Sequence, residues 1–140
     1  MTSKEYLKQI RELDMKIEHL NSMKQELLAN MAMPKAVSYD KERVDVSPNS
    51  DGMINMIIRL EELSKKINNQ LMEFFELKSK IVNQIHEIHD YRYIDVLYKR
   101  YVEYKSFELI AVEMGYEYQT ILNYHGEALL KFAEKYKMSR

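Results

Sequence analysis

Two long segments of this 140-residue chain carry apolar side chains at alternating steps of three and four residues, and this spacing constrains the fold most. In residues 3–33 the apolar positions are Tyr6, Ile10, Leu13, Ile17, Leu20, Leu27 and Met31. In residues 53–90 they are Leu60, Leu63, Ile67, Phe74, Leu77, Ile81 and Ile88. Side chains at these intervals share one face of an α-helix and form the seam of a helix pair. The sequence therefore predicts two long helices that bury these faces against a partner.

The segment between the two seams has the composition of a loop. Residues 33–53 hold both prolines, one of the three glycines and a cluster of Ser, Asn and Asp. We therefore predict a coiled-coil helix at 1–33, a linker at 34–52 and a second long helix at 53–90. Thr2, followed by Glu5 three residues later, has the spacing of a capping box at the start of the first helix.

The seam pattern does not identify the partner of each long helix. The simplest arrangement folds the second helix back against the first as an antiparallel hairpin, and the next simplest pairs helices from two chains. Polar residues interrupt the seams at Lys24, Gln70 and Gln84, and such residues fix register or partner number at some cost in stability. We expect both a hairpin and a homodimer through the long helices.

Residues 91–140 have shorter periods and predict three more helices. Ile94, Leu97, Tyr98 and Tyr101 mark the inner face of the first helix. Ser106 has the position of an N-cap for the second, and Gly115 lies where a helix end needs a left-handed residue. A short turn then leads to a last helix from about Tyr118 to Tyr136. The predicted fold class is all-α: a long helical hairpin or coiled coil followed by a three-helix helix-turn-helix bundle.

The segment "RYVEYKSFELIAVEMGYEYQTILNYHGEALLKF" resembles region 4 of sigma-70-type factors. Nearly the whole chain is similar to a family of small phage and prophage proteins of Gram-positive bacteria, which have no assigned function and stand beside the ArpU/RinA-type late-operon regulators. The residues that carry this similarity are Arg100-Tyr101, Lys105-Ser106, Ile110-Ala111, Met114-Gly115-Tyr116, Thr120 and His125-Gly126. The resemblance implies a cytoplasmic transcription regulator of phage late genes that binds DNA through its helix-turn-helix.

A last helix that enters the major groove presents its outward side chains to the bases, and nearby cations then contact phosphates. The outward candidates are Tyr118, Gln119, Leu122, Asn123 and Glu127. The backbone-contacting candidates are Lys99, Arg100, Lys105, Lys131, Lys135 and Lys137. The family has Ser or Thr in place of Glu117 and basic residues in place of Gln119 and Asn123. These departures weaken the expected phosphate contacts, although Gln and Asn can recognise adenine.

The charge balance supports a second interpretation. The chain has a formal net charge of −1, and residues 91–140 hold 8 Lys or Arg against 7 Asp or Glu, whereas DNA-binding domains are usually more basic. The alternative function is a protein-interaction module that engages RNA polymerase or another host protein with little DNA binding.

The sequence favours binding over catalysis. We expect no enzyme, because His125 has no nucleophile or paired acid as a partner in any recognisable motif. We also expect no cofactor and no metal site, since His86 and His89 lack further ligands in a known pattern. A membrane partner is not expected either, because no uncharged apolar run approaches the roughly 20 residues that a spanning helix needs.

Overall fold

The computed structural model describes residues 1–32 and 49–140. Within these residues it contains five α-helices and one π-helical turn, so the all-α prediction is confirmed. Their bounds are α1 Ser3–Ala32, α2 Asn49–His86, α3 Tyr91–Leu97, the π turn Tyr98–Val102, α4 Phe107–Met114 and α5 Tyr118–Lys135. Of the predicted linker at 34–52, positions 34–48 lie outside the described residues, and the remainder belongs to α2. No helix in the described part of the chain is long and apolar enough to cross a membrane.

The helix α1 begins where the capping residues predict. The backbone N–H of Glu5 donates to Thr2 Oγ1 at 3.2 Å, which satisfies one of the free donors of the first turn. The hydroxyl of Tyr6, near this end of α1, donates to Gln84 Oε1 in the last turn of α2 at 2.6 Å. Leu27, near the other end of α1, lines one groove with Leu63 in the middle of α2. The two long helices therefore contact each other within one chain, in each case through residues of the same compact unit.

The chain divides into two compact units. The first contains Met1–Asp14 and Glu73–Arg140, and the second contains Met15–Met72. The first unit joins the start of α1 to the helix-turn-helix region, because Ser3 Oγ donates to the carbonyl of Leu129 in α5 at 3.0 Å. The second unit consists of the paired segments of α1 and α2, where Ile17 and Ile67 are the buried apolar side chains of its described residues.

The helix α2 ends at His86, whereas the seam pattern extends its predicted span to residue 90. The backbone tightens first, since the N–H groups of Glu87 and Ile88 each bond to a carbonyl three residues earlier. His89 then adopts a left-handed conformation with φ of 69°, which a regular helix does not allow. Asp90 is in extended backbone and accepts the N–H of Arg92, so it caps α3. The cap requires the chain to leave the helix before Asp90.

The helix-turn-helix has its own small core. Val96, Ile110, Ala111 and Ile121 form a buried cluster that joins α3, α4 and α5, with partly buried Phe107, Met114 and Tyr124 around it. The π turn continues α3 and places Tyr101 and Val102 side by side in the interior. Because a π-helical turn takes in an extra residue, it shifts the inner face relative to a regular α-helix.

The turn between α4 and α5 follows the sequence prediction. Ser106 caps α4 by accepting the N–H of Leu109 at 3.2 Å. Gly115 is left-handed, with φ of 75°, and its N–H and that of Tyr116 both bond to the carbonyl of Ala111 at 3.0 Å. Glu117 holds the N-cap position of α5 in extended backbone, without a side-chain hydrogen bond to the helix. Three residues thus connect the two helices of the motif.

Candidate nucleic-acid interface

The first turns of α5 present polar side chains to solvent. Tyr118, Gln119 and Asn123 are exposed, and Leu122 between them is half-buried. Gln119 Nε2 donates to Asn123 Oδ1 at 3.1 Å, which joins the two amides across one helical turn. Three of these four predicted outward positions are therefore exposed, and a hydrogen bond joins two of them.

The fifth outward candidate, Glu127, is exposed and is hydrogen-bonded to a residue of α3. Its carboxylate accepts a hydrogen bond from the hydroxyl of Tyr93 at 2.8 Å, and this bond raises the pKa of Tyr93. Beside it, the guanidinium of Arg92 lies 5.5 Å from the ring centre of Tyr93 and 5.1 Å from that of Tyr124. The sequence did not predict a role for Arg92, and its charge is paired with Asp90, because Arg92 Nη2 donates to Asp90 Oδ2 at 3.0 Å.

Two of the predicted phosphate-contacting lysines are bound to acidic side chains. Glu113 on α4 lies 2.9 Å from Lys99 Nζ and 2.8 Å from Lys105 Nζ. Lys105 also pairs with Glu103 at 3.2 Å. Hydrogen bonds from Lys105 and then Lys99 lower the pKa of Glu113, so this carboxylate stays charged at neutral pH. No sequence pattern predicts this cluster, because its partners lie on different elements.

Arg100 packs against the protein as well. Its guanidinium lies 4.1 Å from the ring centre of Phe107, and its Nη1 donates to the carbonyl of Lys105 at 3.0 Å. A guanidinium keeps further donors after one such bond. Arg100 can therefore both brace the segment before α4 and present charge to a ligand.

The remaining basic candidates lie toward the far end of α5. Lys131 and Lys135 are exposed and line a shallow pocket of about 330 Å³ together with Glu87 and Glu134. Lys137 follows the helix in left-handed backbone and is exposed. Acidic residues thus accompany the basic ones here too, which limits the local positive potential.

His125 forms part of the interior. Its Nε2 lies 2.7 Å from the hydroxyl of Tyr101, and its ring centre is 4.8 Å from that of Phe107. Burial, with the charges of Arg100 and Lys4, lowers the pKa of His125 to about 4. Burial also raises the pKa of Tyr101 to about 12. At neutral pH the tyrosine hydroxyl and the uncharged imidazole therefore share a hydrogen bond whose direction depends on the imidazole tautomer.

The two other histidines considered from the sequence do not share a helical face. The ring of His86 stacks on Tyr98 at 6.4 Å, whereas His89 lies beyond the end of α2. Among the described residues, no three His, Asp or Glu side chains form a group that could hold a metal ion.

The helix-turn-helix carries an exposed apolar surface that was not predicted from the sequence. Leu109 and Val112 on α4 are 43% and 78% exposed, and Tyr116 and Tyr118 beside the turn are 39% and 47% exposed. Leu109 and Val112 are three residues apart and lie on one side of α4. Neither residue belongs to the buried positions of α4, Ile110 and Ala111, and this spacing was the signal available in the sequence.

No family model, curated protein or solved structure matches this chain. The resemblance to sigma region 4 and to the phage late-operon regulators stays a prediction.

Proposed function

We propose that this protein is a transcription regulator of phage type, which recognises DNA through α5 and forms a homodimer through its long helices. It acts by binding, not by catalysis, in the cytoplasm of a bacterial host. The observation that carries the proposal is the exposed amide pair of Gln119 and Asn123 at the start of the second helix of a helix-turn-helix. Recognition helices present their N-terminal residues to base edges in the major groove.

The amide pair has the hydrogen-bonding pattern that adenine requires. Once Gln119 has donated to Asn123 Oδ1, the carbonyl oxygen of Gln119 and the NH₂ group of Asn123 remain for a ligand. Adenine offers the N6 amino group as a donor and N7 as an acceptor in the major groove. The carbonyl of Gln119 would accept from N6, and the amide of Asn123 would donate to N7.

A second candidate function has its own support. Glu113 and Glu103 together neutralise Lys99 and Lys105, and exposed Leu109 and Val112 lie on the same helix as Glu113. A surface with apolar side chains and few free charges is typical of the centre of a protein–protein interface. In this alternative the motif engages RNA polymerase or another host protein, and DNA contact is minor.

The deciding experiment is selection of bound fragments from phage-genome and random DNA pools. It is performed at about 150 mM salt with excess competitor DNA, because salt suppresses the phosphate contacts that lack sequence information. The proposal predicts enrichment of one motif that contains adenine. Two α5 helices of a dimer would further predict repeated half-sites, spaced by about 34 Å or a multiple of it.

Failure to enrich any motif, with the protein folded and helical, would contradict DNA recognition. Capture of RNA polymerase subunits from host lysate, and its loss in Val112→Glu, would then support the second candidate. Glu12→Lys, at an exposed position on α1, is a control variant that should retain such binding.

A further inference from the structure

The second unit, Met15–Met72, buries little apolar surface for its length. Among its described residues, Ile17 and Ile67 are buried, whereas the seam residues Leu20, Leu27 and Leu63 are only half-buried. Several large apolar side chains of this unit are exposed, with exposed fractions of 44–64%: Met15, Met23, Met53, Ile54, Ile57, Ile58 and Met72. A two-helix layer leaves one apolar side of each seam without a partner, and stable helical domains cover it with further helices.

The uncovered side forms a groove between α1 and α2. It has a volume of about 450 Å³, and Met23, Leu27 and Leu63 form its apolar part. Charged residues of both signs border it: Glu26 on α1, and Arg59, Glu62 and Lys66 on α2. None of these four charges forms an ion pair shorter than 4.0 Å within the part of the chain that the structure describes.

We propose that a second copy of this chain docks in this groove, so that two hairpins form a four-helix bundle related by a two-fold axis. The proposal deepens the homodimer of the proposed function, because it assigns the contact surface to the second unit. It adds apolar neighbours to the seam residues Leu27 and Leu63, which are half-buried in the structure.

The charged residues that line the groove favour a second copy of this chain as its occupant. In a two-fold interface each chain presents the same patch, so a patch must complement itself. A border with two acids and two bases does so, because Glu26 and Glu62 of one chain can face Arg59 and Lys66 of the other. A partner with charges of one sign would instead leave like charges opposed.

The available surface is also of the required order. Residues 15–32 of α1 extend over ~27 Å at about 1.5 Å per residue, and two packed helices are roughly 20 Å wide. The projected area of such a face is roughly 540 Å², about two thirds of the ~800 Å² that each partner contributes to a stable interface.

The test is sedimentation velocity of full-length protein without DNA, from about 1 to 100 μM, on three variants. Glu26→Lys with Glu62→Lys makes the border wholly basic, and Arg59→Glu with Lys66→Glu makes it wholly acidic. Each should weaken self-association at least about tenfold, because like charges then face each other. An equimolar mixture of the two should restore the dimer. The control, Glu18→Lys with Glu61→Lys, changes exposed residues outside the groove and should remain dimeric.

Circular dichroism tests whether every variant keeps its helices. A monomeric wild type at 100 μM would overturn the proposal, as would variants that stay dimeric or a mixture that forms no heterodimer. Because no DNA is present, these results are independent of DNA recognition. A wild-type dimer that enriches no DNA motif would contradict only the proposed recognition by α5.

Discussion

Gln119 donates a 3.1 Å hydrogen bond to Asn123 Oδ1 one helical turn further along α5, and both side chains are exposed. Two amides that hold each other lose less rotamer freedom when a ligand binds than two independent side chains would. This arrangement makes the pair suited to recognition of a base edge.

We expect the double substitution Gln119→Ala with Asn123→Ala to remove sequence discrimination and to leave non-specific binding unchanged. A bidentate contact contributes about 1–3 kcal/mol of discrimination, which corresponds to a roughly 5- to 150-fold loss of affinity for the selected site. Competition binding at fixed salt measures it. Asn21→Ala with Gln25→Ala removes the same two residue types at the same spacing from exposed positions on α1, and should have no effect. Equal losses in both variants would contradict the assigned contact.

We expect Glu113→Gln to strengthen DNA binding, because it releases Lys99 from its ion pair and leaves Lys105 paired with Glu103 alone. Each additional phosphate contact steepens the dependence of log K on log salt by about 0.9. The slope, measured by fluorescence anisotropy between about 50 and 200 mM salt, should steepen by about 1. Glu12→Gln changes the net charge equally at an exposed site on α1 and should leave the slope unchanged. An unchanged slope for Glu113→Gln would exclude Lys99 from the DNA interface.

The stability of the fold should fall as pH decreases from about 6.5 toward 4. Burial lowers the pKa of His125 to about 4 in the folded protein, so between these values the unfolded chain binds the proton more strongly. The effect has an upper limit of about 3 kcal/mol, and solvent around the half-buried ring reduces it. Urea unfolding at several pH values should show a flatter profile for His125→Gln than for the wild type. His19→Gln, at an exposed position on α1, should keep the wild-type profile.

Two glycines of the motif should respond to alanine with opposite signs. Gly115→Ala should destabilise the fold by about 1–2 kcal/mol, because φ of 75° is unfavourable for any residue with a Cβ. Gly126→Ala, inside α5, should stabilise it by about 0.5–1 kcal/mol through higher helix propensity. A Cβ meets no atom within 4 Å at either site, so the backbone alone decides the result. Denaturant midpoints at constant m-value measure both, and shifts of the same sign would contradict this assignment.

Periodicity and capping residues predicted most of the helices. The start of α1 at Thr2, the cap at Ser106 and the left-handed Gly115 follow from local chemistry, and the structure confirms all three. Such features depend on neighbours within a few residues, which a sequence displays directly. The C-terminal end of α2 was less predictable, because the apolar seam continues to Ile88 while Asp90 already caps the next helix.

The charge pairs of the candidate site could not be predicted in this way. Glu113 meets Lys99 and Lys105 from 14 and 8 residues away, across a π turn and a loop. Their encounter depends on how α4 packs against the preceding segment, and no local pattern specifies that geometry. The exposed amides at Gln119 and Asn123 were predictable, because they lie opposite the inward residues of an amphipathic helix.

The hydrogen bond from Ser3 to Leu129 joins residues 126 positions apart. During synthesis the first turns of α1 leave the ribosome long before the α5 segment that they contact. At about 5–20 residues per second, several seconds pass before Leu129 exists. The nascent chain must therefore keep Leu7 and Ile10, both fully buried in the finished fold, from other apolar partners during this interval. Tyr6 bonds to Gln84 at the end of α2, and α2 is synthesised before α5, so translation order allows α1 to pair with α2 before the helix-turn-helix is complete.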